Sequence, residues 1–152
     1  MNKKTKYNLI GLATAVLLIA LDQWTKALAV KHLMNQQPFV IWDSVFELHY
    51  LENRGAAFGI LQGQKVIFLI CTVLILAVLA FYYNRMPLEK KYQPLRVVGV
   101  LLGAGAVGNL IDRMVQSYVV DFLYFKLIDF PIFNVADCYV TAGAILLAIL
   151  IL

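Results

Sequence analysis

The sequence predicts an all-α polytopic membrane protein, with four transmembrane helices and a small extracytoplasmic β-sheet. Three observations predict it. The 152 residues are 62% hydrophobic and only 14% charged, with a mean hydropathy of +0.78, against roughly 45–50% apolar and about 25% charged in soluble domains. A chain this short forms one domain and cannot hide so much apolar surface in a single core. Four charge-poor apolar stretches recur, near 9–21, 66–84, 97–111 and 138–152. Between the first and second, Phe46, Leu48 and Tyr50 alternate with Glu47 and His49, the period of a half-buried strand.

A membrane span needs about 20 residues. The second stretch supplies them alone, whereas the other three must draw in polar neighbours: Asp22 to Lys26, Asn109 to Arg113, and Asn134 to Asp137. The expected spans are about 8–28, 64–84, 95–114 and 134–152, with an outer β segment over about 38–62, in one integral membrane domain covering 1–152. Residues 117–133 have a similar extended character, with a turn near Asp129 to Pro131. The first span has the basic start and apolar middle of a secretory signal, with Ala27-Leu28-Ala29 in the place of a cleavage site; with Asp22 to Lys26 intervening, the pattern suits an uncleaved first helix equally well, and retention is the expectation.

Charge sets the expected orientation. Lys3, Lys4 and Lys6 precede the first span, and Arg85, Lys90, Lys91 and Arg96 lie between the second and third, with Glu89 the single acid among them. The positive-inside rule makes both places cytoplasmic and puts the polar ends of the first, third and fourth spans at the outer face. A basic stripe for nucleic acid is missing. Cys71 and Cys138 lack metal-type spacing and read as small apolar fillers.

Ionisable groups at the end of a span point to function. Asp22 and Lys26 share a helix face and also make sense as a local ion pair. Asn109 and Arg113 lie four apart and offer amide and guanidinium donors for a substrate carbonyl or a carboxylate, although polar residues at an interface also cap or snorkel. Asp121 stands in an apolar strand, between Val119-Val120 and Phe122-Leu123. Asn134 reads as an N-cap and places Asp137 in the first turn, where helix N–H groups favour an anion. Two carboxylates brought together share a proton, so one takes a proton from water while the other donates to a peptide carbonyl. That chemistry is aspartic peptidase chemistry. His32 and His49 lack metal-ligand spacing, Ser44 and Ser117 lack a nucleophile's context, and no phosphate loop is present. An ion-coupled transporter and a structural subunit assembled through the Gly-rich third span are the rival classes.

The motifs Asp22-Gln23-x-Thr25-Lys26, Asn53-Arg54-Gly55-Ala56-Ala57-Phe58-Gly59, Gly108-Asn109-Leu110-Ile111-Asp112-Arg113, Val119-Val120-Asp121-Phe122 and Phe133-Asn134-x-Ala136-Asp137 occur in order along the chain. On these the sequence resembles the lipoprotein signal peptidases, also called signal peptidase II or prolipoprotein signal peptidase. The resemblance implies a membrane-embedded aspartic endopeptidase of the bacterial cell membrane, N-terminus cytoplasmic and site near the outer face. It would cut prolipoproteins before a cysteine that carries a diacylglyceryl group. It implies Asp121 and Asp137 as the catalytic dyad. Asn53, Gly55, Asn109, Arg113 and Asn134 surround it for substrate binding and support, with Asp22 and Lys26 in the same pocket and Asp112 as structural support. It further implies a β-sheet cradle, a lid near 55–65 and inhibition by the peptide antibiotic globomycin. A monomer in contact with membrane lipids, with no metal or other cofactor, is expected.

Overall fold

The computed structural model describes residues 2–55 and 64–152. In chain order its elements are α1 (Lys3–Leu33), β1 (Phe39–Trp42), β2 (Phe46–Asn53), α2 (Lys65–Arg85), α3 (Gln93–Gln116), β3 (Val119–Phe125) and α4 (Val135–Ile151). Short 3₁₀ turns at Lys90–Tyr92 and Lys126–Ile128 precede α3 and follow β3. The expected lid near 55–65 falls largely on residues 56–63, outside the described residues, as does the end of the expected outer β segment.

The long helices extend past the apolar runs that announce them. α1 has 31 residues, about 46 Å at 1.5 Å per residue, against a hydrocarbon core of about 30 Å. It starts early because the Asn2 side chain caps it through the Lys4 N–H, and it ends late because its polar turn is satisfied inside the protein. α1, α2 and the Lys90–Gln116 segment are long and apolar enough to cross a membrane; α4 is also apolar but has 17 residues. α3 is central and packs against α1, α2 and α4. α2 buries none of its residues in the protein, so most of its surface is left for lipid.

The three strands form one antiparallel sheet in the order β1-β2-β3. The sheet therefore joins the two extended regions of the sequence. Its β1–β2 turn is tight: Val45 N–H donates to the Trp42 carbonyl and Ser44 adopts a left-handed φ of 59°. β1 is apolar yet exposed along its whole length, which in water would invite edge pairing and beside a bilayer lets it rest on lipid. β3 is buried through Val119, Val120, Asp121 and Phe122. Alternation sends Asp121 to one sheet face and Phe122 to the other, where Phe122 joins Ala29, Leu33 and Val120 in a core cluster against α1.

Close helix approach occurs where the third helix lacks side chains. A Cβ on Gly105 would lie 2.5 Å from the Ala136 carbonyl oxygen and 2.6 Å from Val140, and one on Gly108 would lie 2.6 Å from an Asp22 oxygen. Gly103, on the same helix, meets only Leu76, at 3.9 Å. The tight seam thus runs through Gly105 and Gly108, which hold α4 and α1 against α3.

Candidate active site

The return from β3 to α4 builds the site. After β3 the chain doubles back, and Phe133 pairs with Leu123: its carbonyl accepts from Phe122 N and Leu123 N, and its N–H donates to the Leu123 carbonyl. That pairing sets the next residue, Asn134, beside Asp121. Asn134 then caps α4. Its Oδ1 accepts from Asp137 N at 3.0 Å, while Asp137 Oδ2 accepts from Asn134 N at 3.1 Å, a reciprocal capping box.

With its oxygen committed to the cap, the Asn134 amide nitrogen faces the other way. It donates to Asp121 Oδ1 at 2.6 Å and to Asn109 Oδ1 at 3.1 Å. Asn109 in turn donates from Nδ2 to Asp137 Oδ1 at 2.7 Å. Two amides therefore link the two carboxylates, and both carboxylates line one cavity of about 700 Å³. Asn53, at the end of β2, gives Asp121 Oδ2 a second donor at 2.9 Å, and its own oxygen accepts from Gly55 N at 3.1 Å.

Beneath the pair lies a buried ionic cluster. Lys26 Nζ stands 2.9 Å from Asp22 Oδ2, 3.1 Å from Asp112 Oδ2 and 3.0 Å from Asn109 Oδ1. Buried ions need further hydrogen bonds to hold their place, and these carboxylates have them. Ala136 N donates to Asp22 at 2.8 Å, Val120 N donates to Asp112 at 3.1 Å, and Gln23 Nε2 spans Asp22, Asp112 and the Gly108 carbonyl. The cluster thus ties α1 and α3 to the first turn of α4 and to the residue preceding Asp121. Lys26 also fixes the Asn109 amide: a cation requires the oxygen on its side, which turns the NH₂ toward Asp137.

Arg113 sits at the rim rather than on the pair. It donates to the Gly55 carbonyl at 2.9 Å and to the Asn109 carbonyl at 3.3 Å, with Phe68 under its guanidinium at 4.2 Å. Among the described residues, neither Asp121 nor Asp137 forms an ion pair with it. The rest of the cavity wall is apolar, with Phe125, Ile128, Phe130 and Ile132 from the return segment and Val140 and Ile145 from α4. Burial pushes the Asp121 carboxyl up from its ordinary 3.8 to about 6; the nearby Asp137 charge adds to the rise, while the Asn53 and Asn134 hydrogen bonds oppose it.

All ten site residues expected from the sequence fall in this region, in two layers. Asp121, Asp137, Asn53, Asn109 and Arg113 line the cavity, and Asn134 bridges them from a fully buried position. Asp22, Lys26 and Asp112 lie behind and reach the cavity through Asn109 and the backbone. Gly55 contributes backbone atoms alone to these bonds. Sequence reasoning misses two contributors. Gln23 sits between Asp22 and Lys26 but carries no charge to draw attention, and Gly105 acts by having no side chain.

The chain matches the family described as "Signal peptidase (SPase) II" over residues 14–152. It is 44% identical over 146 residues to the lipoprotein signal peptidase of Streptococcus thermophilus, covering 93% of this chain and 92% of that protein. It is 41% identical over 144 residues to the lipoprotein signal peptidase of Caldanaerobacter subterraneus subsp. tengcongensis, covering 94% and 96%. A solved structure described as "Bacterial membrane enzyme structure by the in meso method at 1.9 A resolution" aligns with a TM-score of 0.81 at 34% identity, over 94% of this chain and 92% of that one. Together with the apolar helices, this likeness identifies an integral membrane protein.

Proposed function

This chain belongs to the signal peptidase II family, and from that premise we propose that it removes signal peptides from bacterial prolipoproteins by an aspartic mechanism. It cuts before a cysteine that already carries a diacylglyceryl group. The observation that carries this reading is the amide bridge: Asn134 on Asp121 and Asn109 on Asp137 hold two carboxylates at one cavity with an apolar wall.

Asp121 and Asp137 are the catalytic dyad and share one proton. The ionised member takes a proton from water as the water oxygen bonds to the scissile carbonyl carbon. The protonated member gives its proton to the carbonyl oxygen, leaving a neutral gem-diol with no covalent enzyme intermediate. In the second step the C–N bond breaks, the amine nitrogen receives a proton from the dyad and a gem-diol hydroxyl returns one, so the pair ends as it began. Asn53, Asn109 and Asn134 keep the carboxylates from rotating away, and Arg113 with Gly55 borders the substrate's path. Lys26, Asp22 and Asp112 hold Asn109 and β3 in register. The substrate enters sideways from the bilayer along the apolar wall, because its own hydrophobic segment already lies there. Unwound peptide groups need hydrogen-bond partners in that setting, and the cavity's amides supply them.

The protein resides in the bacterial cell membrane as a monomer, its N-terminus cytoplasmic and its site near the outer face, and globomycin competes for the cavity. The test is cleavage of a diacylglyceryl-modified precursor by purified protein in lipid. Asp121→Asn and Asp137→Asn each keep the side-chain shape but cannot exchange the proton. Each is expected to lower turnover by about 10²–10⁴-fold, the contribution typical of general acid–base groups, without loss of fold by circular dichroism. EDTA is expected to leave the wild-type rate unchanged. Normal turnover by either variant, or loss in EDTA reversed by one divalent ion, overturns the mechanism.

A further inference from the structure

A second cavity, of about 780 Å³, lies on the other side of the sheet, between β3 and the C-terminal turns of α1. Its floor is apolar and includes Ala29, Leu33, Leu48 and Phe122, and its mouth carries Lys31 and His32. Neither the dyad nor its supporting cluster borders it.

Lys31 differs from the other cations near it. Six lysines and arginines lie toward the end of the molecule that holds the carboxylate pair. Lys26 pairs with Asp22 and Asp112, Arg54 with Glu52, and Lys126 with Glu47. Lys65 donates to Met114 and Ser117, and Arg113 donates to Gly55. Among the described residues at this end, Lys31 is the one with no acceptor. It stands beside His32, exposed, at the mouth of an apolar groove.

Depth indicates what fills the groove. Counting about 1.5 Å per residue from Leu9, a hydrocarbon core of about 30 Å ends near residue 29. The floor at Ala29 then lies at the hydrocarbon boundary, and Lys31 and His32 lie in the headgroup layer. A groove whose apolar wall runs from Leu28 and Ala29, at that boundary, to Leu33 just beyond it, with a free cation beside it, matches one class of molecule abundant at that depth. We propose that it holds one anionic phospholipid, with the phosphate on Lys31 and His32 and an acyl chain laid along the back of the sheet. Phe122 would touch the chain while its neighbour Asp121 faces the opposite cavity, so the lipid would brace the strand that carries Asp121. This inference concerns binding and does not depend on the proteolytic reading.

Native mass spectrometry of the full chain, released from micelles doped with phosphatidylglycerol or phosphatidylcholine, tests it. One retained phosphatidylglycerol per chain is expected, and Lys31→Gln/His32→Gln should weaken retention at least tenfold. Both side chains are exposed, so the pair should fold; melting temperature in phosphatidylcholine checks this. Lys90→Gln/Lys91→Gln, a basic pair at the other membrane end, should retain the lipid as wild type does. Equal retention of the two lipids, unchanged retention by the Lys31/His32 variant, or equal loss in the Lys90/Lys91 variant overturns the site. Displacement by soluble glycerol phosphate at the same concentration assigns the groove to a free anion and overturns the lipid, and recovery of a dimer seated on this face does the same.

Discussion

Asn109 has the most demanding position of any residue in the site. Its oxygen accepts from Lys26 and Asn134 while its nitrogen donates to Asp137, so one amide carries the effect of a buried cation to a carboxylate that the cation does not touch. Asp121 is held differently, by two amide donors and by burial, and its carboxyl stays protonated up to about 6 on the pH scale. The sign of the pH dependence follows. The folded chain binds more protons than the unfolded chain between about 3.8 and 6, so this group's contribution to stability declines as pH rises through that window. The singly protonated pair is lost on the alkaline side of the same window. In the free enzyme kcat/KM is expected to fall above about pH 6, approaching tenfold per pH unit. Bound substrate excludes more water and raises the carboxyl further, so the alkaline limb of kcat should lie at higher pH than that of kcat/KM. Initial rates from about pH 5 to 9 measure both limbs; a flat kcat/KM would mean that no proton on this pair is needed.

At the scale of elements, the α3–α4 seam decides whether the pair forms. A methyl group at Gly105 would meet the Ala136 carbonyl and Val140, and backbone cannot swing aside as a side-chain tip can. Gly105→Ala is expected to push the head of α4 from α3, lengthen the Asn109–Asp137 bond and lower stability by about 1–3 kcal/mol, with turnover reduced at least tenfold. Gly103→Ala, where the nearest neighbour is in ordinary contact at 3.9 Å, should leave both near wild type. Melting temperature and turnover of the two variants decide this. The contrast also marks the limit of the sequence. The helices are legible because apolar runs bounded by lysines admit few alternatives, and Asn134-x-x-Asp137 announces its own helix start. Which glycine faces which helix is not legible, because that depends on the rotation of α3. Spacing alone does not single out Gly105, yet the packed helix sets it against Ala136 and Val140 of α4 and sets Gly108 against Asp22 of α1 and Ala136. The union of β2 and β3 in one sheet is equally hidden. Asn53 and Asp121 meet across 68 residues of sequence, and such a separation leaves no periodic signal, whereas each strand's own alternation is readable.

The whole molecule is polar at one end in a particular way. Lys3, Lys4, Lys6, Arg85, Lys90 and Lys91 gather at one end of the helices, and the carboxylate pair, its ionic cluster and the sheet at the other. The positive-inside rule then makes a topological prediction. In a Cys71→Ala/Cys138→Ala background, Lys126→Cys is expected to react with a membrane-impermeant maleimide in intact spheroplasts, and Lys90→Cys only after permeabilisation. The reverse pattern would put the site on the cytoplasmic side. The sequence carries this asymmetry in plain view because charge placement needs no folding to be read. It does not show that Lys26 lies buried between two carboxylates, since its spacing from Asp22 fits an exposed pair equally well.

Asp137 has two occupations at once, closing the capping box that starts α4 and supplying one half of the carboxylate pair. Its two oxygens belong to one rigid carboxylate, Oδ2 in the cap and Oδ1 on Asn109, so the group cannot be correctly placed for one task and wrong for the other. On the proposed mechanism a copy whose last helix has frayed would be inert instead of indiscriminate, a useful safeguard in a membrane crowded with other proteins' single spans, where a hydrolase that fired before it was fully assembled would be a hazard to its neighbours.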